Sequence, residues 1–398
     1  MADDLQRRGT PRISLVLVSH SYPPVLGGSE IEAQRVCAAL IRRGHKVTVL
    51  CAGGPPMPDV TRWIDPEGVP VRIFGRRRSG RWRDYTFALA VAWTLFRERR
   101  NYDLIYFLMQ GIHLATGLPV GRGLGKAMVM KVSGSSLITL MCQSWVGRLE
   151  LRWLKSWVHR IMILNEGMAA EAAAAGLDSK RLLWMPNPVD TTDFAPCARV
   201  DRDKWRLELG IPEASRCVVF VGRLAPEKEL SSLLRAMSSV ARRVPHVLLL
   251  LVGDGPSRAE LEKLAGTLEL NSNVRFVGRQ TVVQVRKWLQ ASDVFTLISS
   301  NEGFPCSLVE AMSVALPSVV SDIPANTQLV DHGVHGLHAV LMNAGSIAEA
   351  LIALLEDDET ARHMGRMARE RVIENYSIEK VIGRYEKLFA EALAGDAD

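Results

Sequence analysis

Strand-length apolar runs recur along this chain, and they are continuous where a half-exposed strand would alternate with polar residues. One series comprises 13–18, 46–51, 69–74, 102–109, 127–132 and 160–164; a second comprises 217–221, 247–252, 273–277, 293–298 and 318–321. A strand apolar on both faces must be covered on both, which is the condition of a parallel sheet flanked by helices. The segments between the runs read as helices, as in 230–243 and 258–267. The first helix is placed from Ser29, with Glu32 three residues on as a capping box, to Arg43, with Gly44 as its closing glycine. The fold class that follows is α/β, with two doubly wound parallel sheets.

The alternation breaks at Pro186-Asn187-Pro188-Val189-Asp190 and stays irregular through Pro196, which places a hinge there. The 398 residues then divide into 1–190 and 191–377, with 378–398 carrying a last helix (378–394) expected to cross back to the first domain. The length suits two α/β domains. At 47% hydrophobic and 23% charged the chain has ample material for two cores. Domains of this kind bind ligands beyond the carboxyl ends of their strands.

The net charge of +6 is unevenly spread: residues 1–193 hold 26 Lys and Arg against 16 Asp and Glu, the remainder 23 against 27. A basic first half suits an anionic partner (lipid headgroups, a phosphorylated acceptor, nucleic acid) or is a solubilising surface. The six cysteines are scattered, without metal-ligand spacing, and read as buried reduced thiols of a cytoplasmic protein. No apolar run approaches the ~20 residues of a spanning helix, and residues 1–12 are too polar for a signal peptide.

The most informative segment follows the run 293–298: Asn301-Glu302-Gly303-Phe304-Pro305-Cys306-Ser307-Leu308-Val309-Glu310. Glu302 falls on the loop lip, a helix starts near Ser307, and Glu310 sits about a turn inside it. The N–H groups of Cys306, Ser307 and Leu308 would offer a phosphate-binding helix start, while the two carboxylates suit sugar and ribose hydroxyls. A second segment, Gly222-Arg223-Leu224-Ala225-Pro226-Glu227-Lys228, places two cations after the first strand of the second domain. Cleaving a sugar–diphosphate bond builds negative charge on the leaving group, and Arg223 and Lys228 can stabilise it without a metal. Asp201-Arg202-Asp203 has the look of a metal motif but opens a linker helix, where surface decoration is the plainer reading. Gly27-Gly28 before the first helix is a third element, able to close over phosphates.

Together these segments resemble the family-4 retaining glycosyltransferases. The resemblance spans nearly the whole chain, from Pro24…Gly27-Gly28-Ser29-Glu30 and 43–50 through 186–190, Gly222-Arg223-Leu224…Glu227-Lys228 and Val252-Gly253-Asp254-Gly255-Pro256 to the Glu302–Glu310 block. It implies a GT-B fold, two Rossmann-like domains facing across a cleft, and transfer of a sugar from a nucleotide-diphosphate sugar, most commonly UDP-linked, to a glycan, glycolipid or small-molecule hydroxyl. The nucleotide sugar is then a co-substrate, and neither a cofactor nor a metal is expected. By the same resemblance Glu302 contacts the donor sugar and Glu310 the ribose; Arg223 and Lys228 bind the diphosphate. Gly253, Gly303, Phe304 and Pro305 belong to the donor-binding set, and the backbone around Val277 lies by the base. His113, in Gln110-Gly111-Ile112-His113, matches a family histidine beside the sugar and is assigned positioning and electrostatic support, with His20 a second candidate. Two segments depart from the family: Asn-Pro-Val-Asp stands where Asn-Gly-Val-Asp is usual, and Lys131-Val132-Ser133-Gly134-Ser135-Ser136 replaces a histidine-containing stretch.

The arginines of 76–83 precede an apolar segment, 85–96, closed by Arg97, Arg99 and Arg100. Being apolar almost all round, 85–96 reads as a helix buried over the first sheet, and the arginines as a contact for anionic membrane. Three other functions fit these residues less well. A non-hydrolysing sugar-nucleotide epimerase shares the architecture but not the Glu302–Glu310 block. A NAD-dependent oxidoreductase would need a G-x-G-x-x-G after a first strand. A non-catalytic partner or nucleic-acid binder would not need the donor residues intact.

Overall fold

The apolar runs form two sheets in a computed structural model that describes residues 12–25, 27–54, 56–58, 60–75, 80–109, 111–134 and 137–395. The chain divides into two compact units, Met1–Pro188 with Ile378–Asp398, and Val189–Ser377.

The first unit begins with β1 (Ser14–Ser19), α1 (Gly28–Arg42), β2 (Lys46–Ala52), β3 (Arg62–Ile64), β4 (Pro70–Phe74) and α2 (Gly80–Arg97). It continues with β5 (Leu104–Leu108), α3 (His113–Gly123), β6 (Ala127–Lys131), α4 (Leu137–Gln143), α5 (Trp145–Trp157), β7 (Arg160–Ile163), α6 (Glu166–Ala174) and β8 (Leu182–Trp184). The sheet order is β3-β4-β2-β1-β5-β6-β7-β8, parallel except where the edge strand β3 pairs antiparallel with β4. In register, Leu15 lies beside Val47 on one side and Leu104 on the other.

In the second unit, α7 (Arg199–Glu208), β9 (Arg216–Val221), α8 (Leu230–Arg243), β10 (Val247–Val252), α9 (Arg258–Thr267), β11 (Val274–Gly278) and α10 (Val282–Ala291) come first. They are followed by β12 (Val294–Leu297), α11 (Cys306–Ser313), β13 (Ser318–Ser321), α12 (Pro324–Thr327), β14 (Gly336–Ala339), α13 (Ala344–Glu356) and α14 (Asp358–Asn375). This sheet runs β11-β10-β9-β12-β13-β14, all parallel. Numbered within the unit this is the doubly wound order 3-2-1-4-5-6, whose switch point lies between its first and fourth strands, β9 and β12. The equivalent point of the first sheet lies between β1 and β5.

The last helix, α15 (Ile378–Ala394), belongs to the first unit. Its Val381, Ile382, Tyr385, Leu388 and Phe389 join α1 and strands β1, β2, β4 and β5 in one core. A polar network sits inside that core. Lys131, fully buried at the end of β6, donates to Glu32 Oε1 (2.8 Å), Asn187 Oδ1 (2.8 Å) and Tyr385 Oη (3.1 Å). The Tyr385 hydroxyl in turn donates to Glu32 Oε1 at 2.8 Å. A buried ammonium persists only when paired and hydrogen-bonded, so one lysine ties together α1, β6, the segment before Pro188 and the last helix. Nearby, the Glu386 carboxylate accepts from Arg43 (2.7 Å) and faces His45 Nε2 (3.0 Å).

Several expectations are corrected here. The first helix starts at Gly28, with Gly27 as N-cap and no side-chain cap; Glu32 is turned inward to Lys131, so the capping box does not form. The turn at Gly44 does close the helix: its φ is +91°, Gly44 N–H donates to Ile41, and His45 N–H donates to Leu40. Residues 85–96 are not buried all round. Phe87, Ala88, Val91, Thr94 and Leu95 of α2 are buried, but Leu89, Trp93 and Phe96 are exposed. Arg76, Arg77 and Arg78 lie outside the described residues, as do Gln110, Ser135 and Ser136. The cysteines are free thiols, yet Cys142 is exposed and Cys197 and Cys306 are half-buried. No helix among the described residues is long and apolar enough to cross a membrane.

Candidate donor and acceptor sites

In the second unit the loops leaving β9 and β12 emerge side by side, because Val219 pairs with Phe295 in the register of those strands. This is the switch point, where the two strands' loops splay to opposite faces and leave a crevice. Lys228, on a single 3-10 turn (Pro226–Lys228) after β9, meets Glu302, on the loop after β12, with Nζ 2.6 Å from Oε1. Both side chains are largely buried, at 16% and 9% exposure. Ser299 Oγ donates to the same Glu302 oxygen at 2.7 Å. Ser299 is itself fixed: its N–H donates to Ser321 Oγ, and that hydroxyl donates back to the Ser299 carbonyl at 2.6 Å. Glu302 is thus oriented from both sides, and the lysine retains N–H groups beyond the one it gives to the carboxylate.

Arg223 is more open. Its guanidinium reaches Glu227 Oε1 at 2.5 Å, and the Glu227 carbonyl accepts from Ser300 N–H at 2.9 Å, linking the two loops again. Burial raises the Glu227 pKa, but its own backbone N–H and the Arg223 charge outweigh this and hold it below the ordinary value. Glu229, where the turn passes into α8, has a left-handed φ of +45°. Such strain in a non-glycine residue persists only where its surroundings enforce it.

The Arg223 loop rests on bare backbone. A Cβ on Gly253 would fall 1.8 Å from the Gly222 carbonyl oxygen, and one on Gly255 2.3 Å from that of Leu224. Gly222 N–H donates to Val252, Leu224 N–H to Asp254, and Gly253 N–H to Gly278, each at 3.0 Å. Gly253 therefore supports the Arg223 loop, with φ at +146°. Val277 lies at the end of β11, next to this contact.

At the start of α11 the residues separate by role. Phe304 packs its ring on Tyr376 (centroids 6.0 Å apart) and is buried, so its side chain is committed to the core. The Leu308 side chain is fully buried, and its N–H donates to the Pro305 carbonyl at 3.0 Å. Gly303, Cys306 and Ser307 remain at the helix entrance, and Glu310 stands one turn further in. Asp201 and Asp203 fall at the start of α7, where Arg202 pairs with Asp293 at 2.6 Å.

The first unit carries its own cluster at the β1/β5 switch point. His113 opens α3 directly after β5 and is fully buried, and neither ring nitrogen makes a hydrogen bond among the described residues. Burial first, and the neighbouring His20 second, lower its pKa to about 3, against a weak opposing pull from the Met109 carbonyl. Burial thus disfavours the charged ring, and a neutral imidazole can hold a hydroxyl as donor or acceptor. Two unmet buried nitrogens are a cost that a ligand hydroxyl would remove. Met109, four residues before, has φ at +65°, again left-handed. His20 Nε2 faces Asp84 Oδ1 at 2.9 Å, and Phe87 stands between the rings of His20 and His113, 6.0 and 5.7 Å away. Gly27 and Gly28 begin α1, and Ser21 Oγ donates to Glu30 Oε1 at 2.5 Å beside them. His113, Gly27 and Gly28 thus belong to the first unit, and the other named residues to the second.

Sequence reasoning passed over Ser299, Glu227 and Asp84, the groups that orient Glu302, Arg223 and His20. Ser299, a hydroxyl closing an apolar run two residues beyond β12, was the readable signal among them.

Comparison with known proteins agrees with this geometry. The family described as Glycosyl transferases group 1 matches residues 201–371, and the Glycosyl transferase 4-like domain matches 27–188. The chain belongs to the group 1 glycosyltransferases and is an enzyme of hexosyltransferase type. It is 25% identical over 383 residues to N-acetyl-alpha-D-glucosaminyl L-malate synthase of Bacillus anthracis, covering 94% of this chain and 96% of that one. It is 26% identical over 352 residues to phosphatidyl-myo-inositol mannosyltransferase of Mycolicibacterium smegmatis, covering 87% and 86%. The crystal structure of Anabaena HepE in complex with UDP and glucose superposes with a TM-score of 0.79 at 19% identity, over 96% of this chain and all of that one, and shows a shared GT-B fold.

Proposed function

We propose that this enzyme transfers a sugar, with retention of anomeric configuration and without a metal, from a nucleotide-diphosphate donor to a hydroxyl acceptor. The carrying observation is the Lys228–Glu302 pair at the switch point of the second sheet. In this reading Lys228, Arg223 and the entrance to α11 hold the diphosphate. Glu302 accepts hydrogen bonds from the sugar hydroxyls and Glu310 from the ribose. The bond from the anomeric carbon to the phosphate oxygen breaks with its electron pair going to the nucleoside diphosphate. The acceptor oxygen bonds the same face of that carbon, and its proton passes to the departing phosphate. Lys228 and Arg223 lie where the negative charge grows, so they act on the transition state more than on the bound donor.

A UDP-sugar is the preferred donor, which the likeness to HepE with its bound UDP supports. The acceptor is a glycan, glycolipid or small molecule, as the malate and phosphatidyl-inositol relatives illustrate. Bacterial cell-envelope, exopolysaccharide or glycolipid synthesis on the cytoplasmic side is the setting, with peripheral contact to anionic membrane near the arginines of 76–83.

The test incubates the protein with UDP-, GDP- and ADP-sugars in EDTA and follows released nucleoside diphosphate. Release from one donor is expected, with Lys228→Ala and Glu302→Ala each lowering it by about 10²–10³-fold. Release unaffected by both substitutions, or lost on adding EDTA, refutes the assignment; interconversion of donor sugars without release identifies an epimerase.

A further inference from the structure

The α2 helix is apolar on two opposite sides, and only one of them has a partner in the fold. Phe87, Ala88, Val91, Thr94 and Leu95 are buried in the first unit, where α2 packs on α3 and the sheet. On the reverse side Trp82, Tyr85, Leu89, Trp93 and Phe96 stand out, at 69%, 48%, 66%, 61% and 52% exposure. At about 100° per residue these five positions fall within an arc of about 80°, centred opposite the buried set. The stripe is therefore a continuous ridge about 20 Å long, given a rise of about 1.5 Å per residue. An exposed apolar surface of this kind marks an interaction site.

The charges around the ridge select the partner. Arg81 precedes it; Arg97, Arg99 and Arg100 follow it, and all four are exposed. Arg99 lies over the Phe96 ring, 4.9 Å from its centre. The acids of this stretch are turned away: Asp84 is held by His20 at 2.9 Å, and Glu98 accepts from Arg72 Nη2 at 2.8 Å. What is left facing outward is tryptophan, tyrosine, leucine and phenylalanine, with Arg81 at one end and Arg97, Arg99 and Arg100 at the other. Trp and Tyr favour the boundary between hydrocarbon and water, and clustered arginine favours anionic headgroups. A helix lying flat at a bilayer surface needs both; a protein partner would need the first without so one-sided a charge.

We propose that the outer face of α2 seats this enzyme on an anionic lipid bilayer, with Trp82, Leu89 and Trp93 inserted at headgroup depth and the flanking arginines paired to lipid phosphates. The inference rests on the peripheral-contact reading above and extends it from the arginines to the helix itself. It does not depend on the donor chemistry.

The test is co-sedimentation of the full chain with vesicles of phosphatidylcholine alone and with about 30 mol % phosphatidylglycerol at about 0.1 M salt. Donor hydrolysis and melting temperature in solution serve as controls. Wild type is expected to bind the anionic vesicles and not the neutral ones. Both Trp82→Ser/Leu89→Ser/Trp93→Ser and Arg97→Ala/Arg99→Ala/Arg100→Ala are expected to weaken binding by at least about tenfold, with hydrolysis retained. If the first variant melts early, Trp93→Ser alone and the arginine variant carry the test. Absence of binding by the wild type overturns the proposal, as does binding that these variants leave unchanged. A dimer dissociated by Trp93→Ser, without vesicle binding, would assign the ridge to a second copy of the chain. Loss of donor hydrolysis in the wild type would count against the transferase reading alone.

Discussion

Replacing Lys131 with methionine removes the cation paired with Glu32 in the buried network of the first unit while keeping much of its volume. Lys131 is fully buried and Glu32 is 2% exposed, so solvent does not screen the pair. The second Glu32 oxygen already has no hydrogen-bond partner among the described residues. In Lys131→Met the carboxylate keeps the Tyr385 hydroxyl, and Asn187 Oδ1 loses the lysine's hydrogen bond. Breaking a buried pair by deleting one partner costs about 3–5 kcal/mol. For a unit of this size each kcal/mol corresponds to about 2–4 °C, so the first unit should melt about 6–20 °C lower. Tryptophan fluorescence is a suitable monitor, because seven of the nine tryptophans (63, 82, 93, 145, 153, 157 and 184) lie in that unit. The double variant Glu32→Gln/Lys131→Met removes both charges and should recover at least half of the loss. A loss under about 1 kcal/mol in the single variant, or no recovery in the double, would refute the view that charge pairing, and not packing alone, organises this core.

Two further outcomes follow from the site geometry. Gly253→Ala should destabilise the second unit by about 3 kcal/mol or more and abolish donor-induced thermal stabilisation, because its Cβ collides with the Gly222 carbonyl; a wild-type melting curve would contradict the backbone contact. His113 has a folded pKa of about 3 against an ordinary 6.5, so its contribution to stability is present above pH 6.5 and is lost as pH falls toward 3. His113→Gln should therefore lose about 1–2 kcal/mol less than wild type between pH 6.5 and 5, and its transfer rate should drop without displacement of the acid limb of the pH profile; an acid limb that moves would mean that His113 ionises in the working enzyme.

The parallel strands were legible because burial on both faces leaves no polar alternation, and the register of β9 against β12 then brings Lys228 and Glu302 together at the switch point. The strands left unread are short or sit at a sheet edge: Arg62–Ile64, Leu182–Trp184 and Gly336–Ala339. They carry too few apolar residues to announce themselves. Ser29…Glu32 reads as a capping box because local spacing is all a sequence offers, whereas Glu32 answers to Lys131, 99 residues away. The role of Lys131 was hidden for the same reason, since Tyr385 lies 254 residues on. For α2, hydropathy registered that both sides are apolar, but only tertiary packing decides which side the sheet covers. The bond from Leu308 N–H to the Pro305 carbonyl was equally hidden, because it depends on how the turn at Pro305 enters α11.

The membership of α15 in the first unit makes residues 189–377 an insertion within a single discontinuous domain. The order of synthesis then differs from the order of completion. The second unit has all its strands once residue 377 has been made, while the earlier-made sheet still lacks Val381, Tyr385, Leu388 and Phe389. Until those arrive, Lys131 and Glu32 wait without the tyrosine that completes their network, at the mouth of an unfilled apolar groove. A chain cut after residue 377 would thus hold all the strands of the second unit while the first lacked its last helix, which acts as the latch that ends folding.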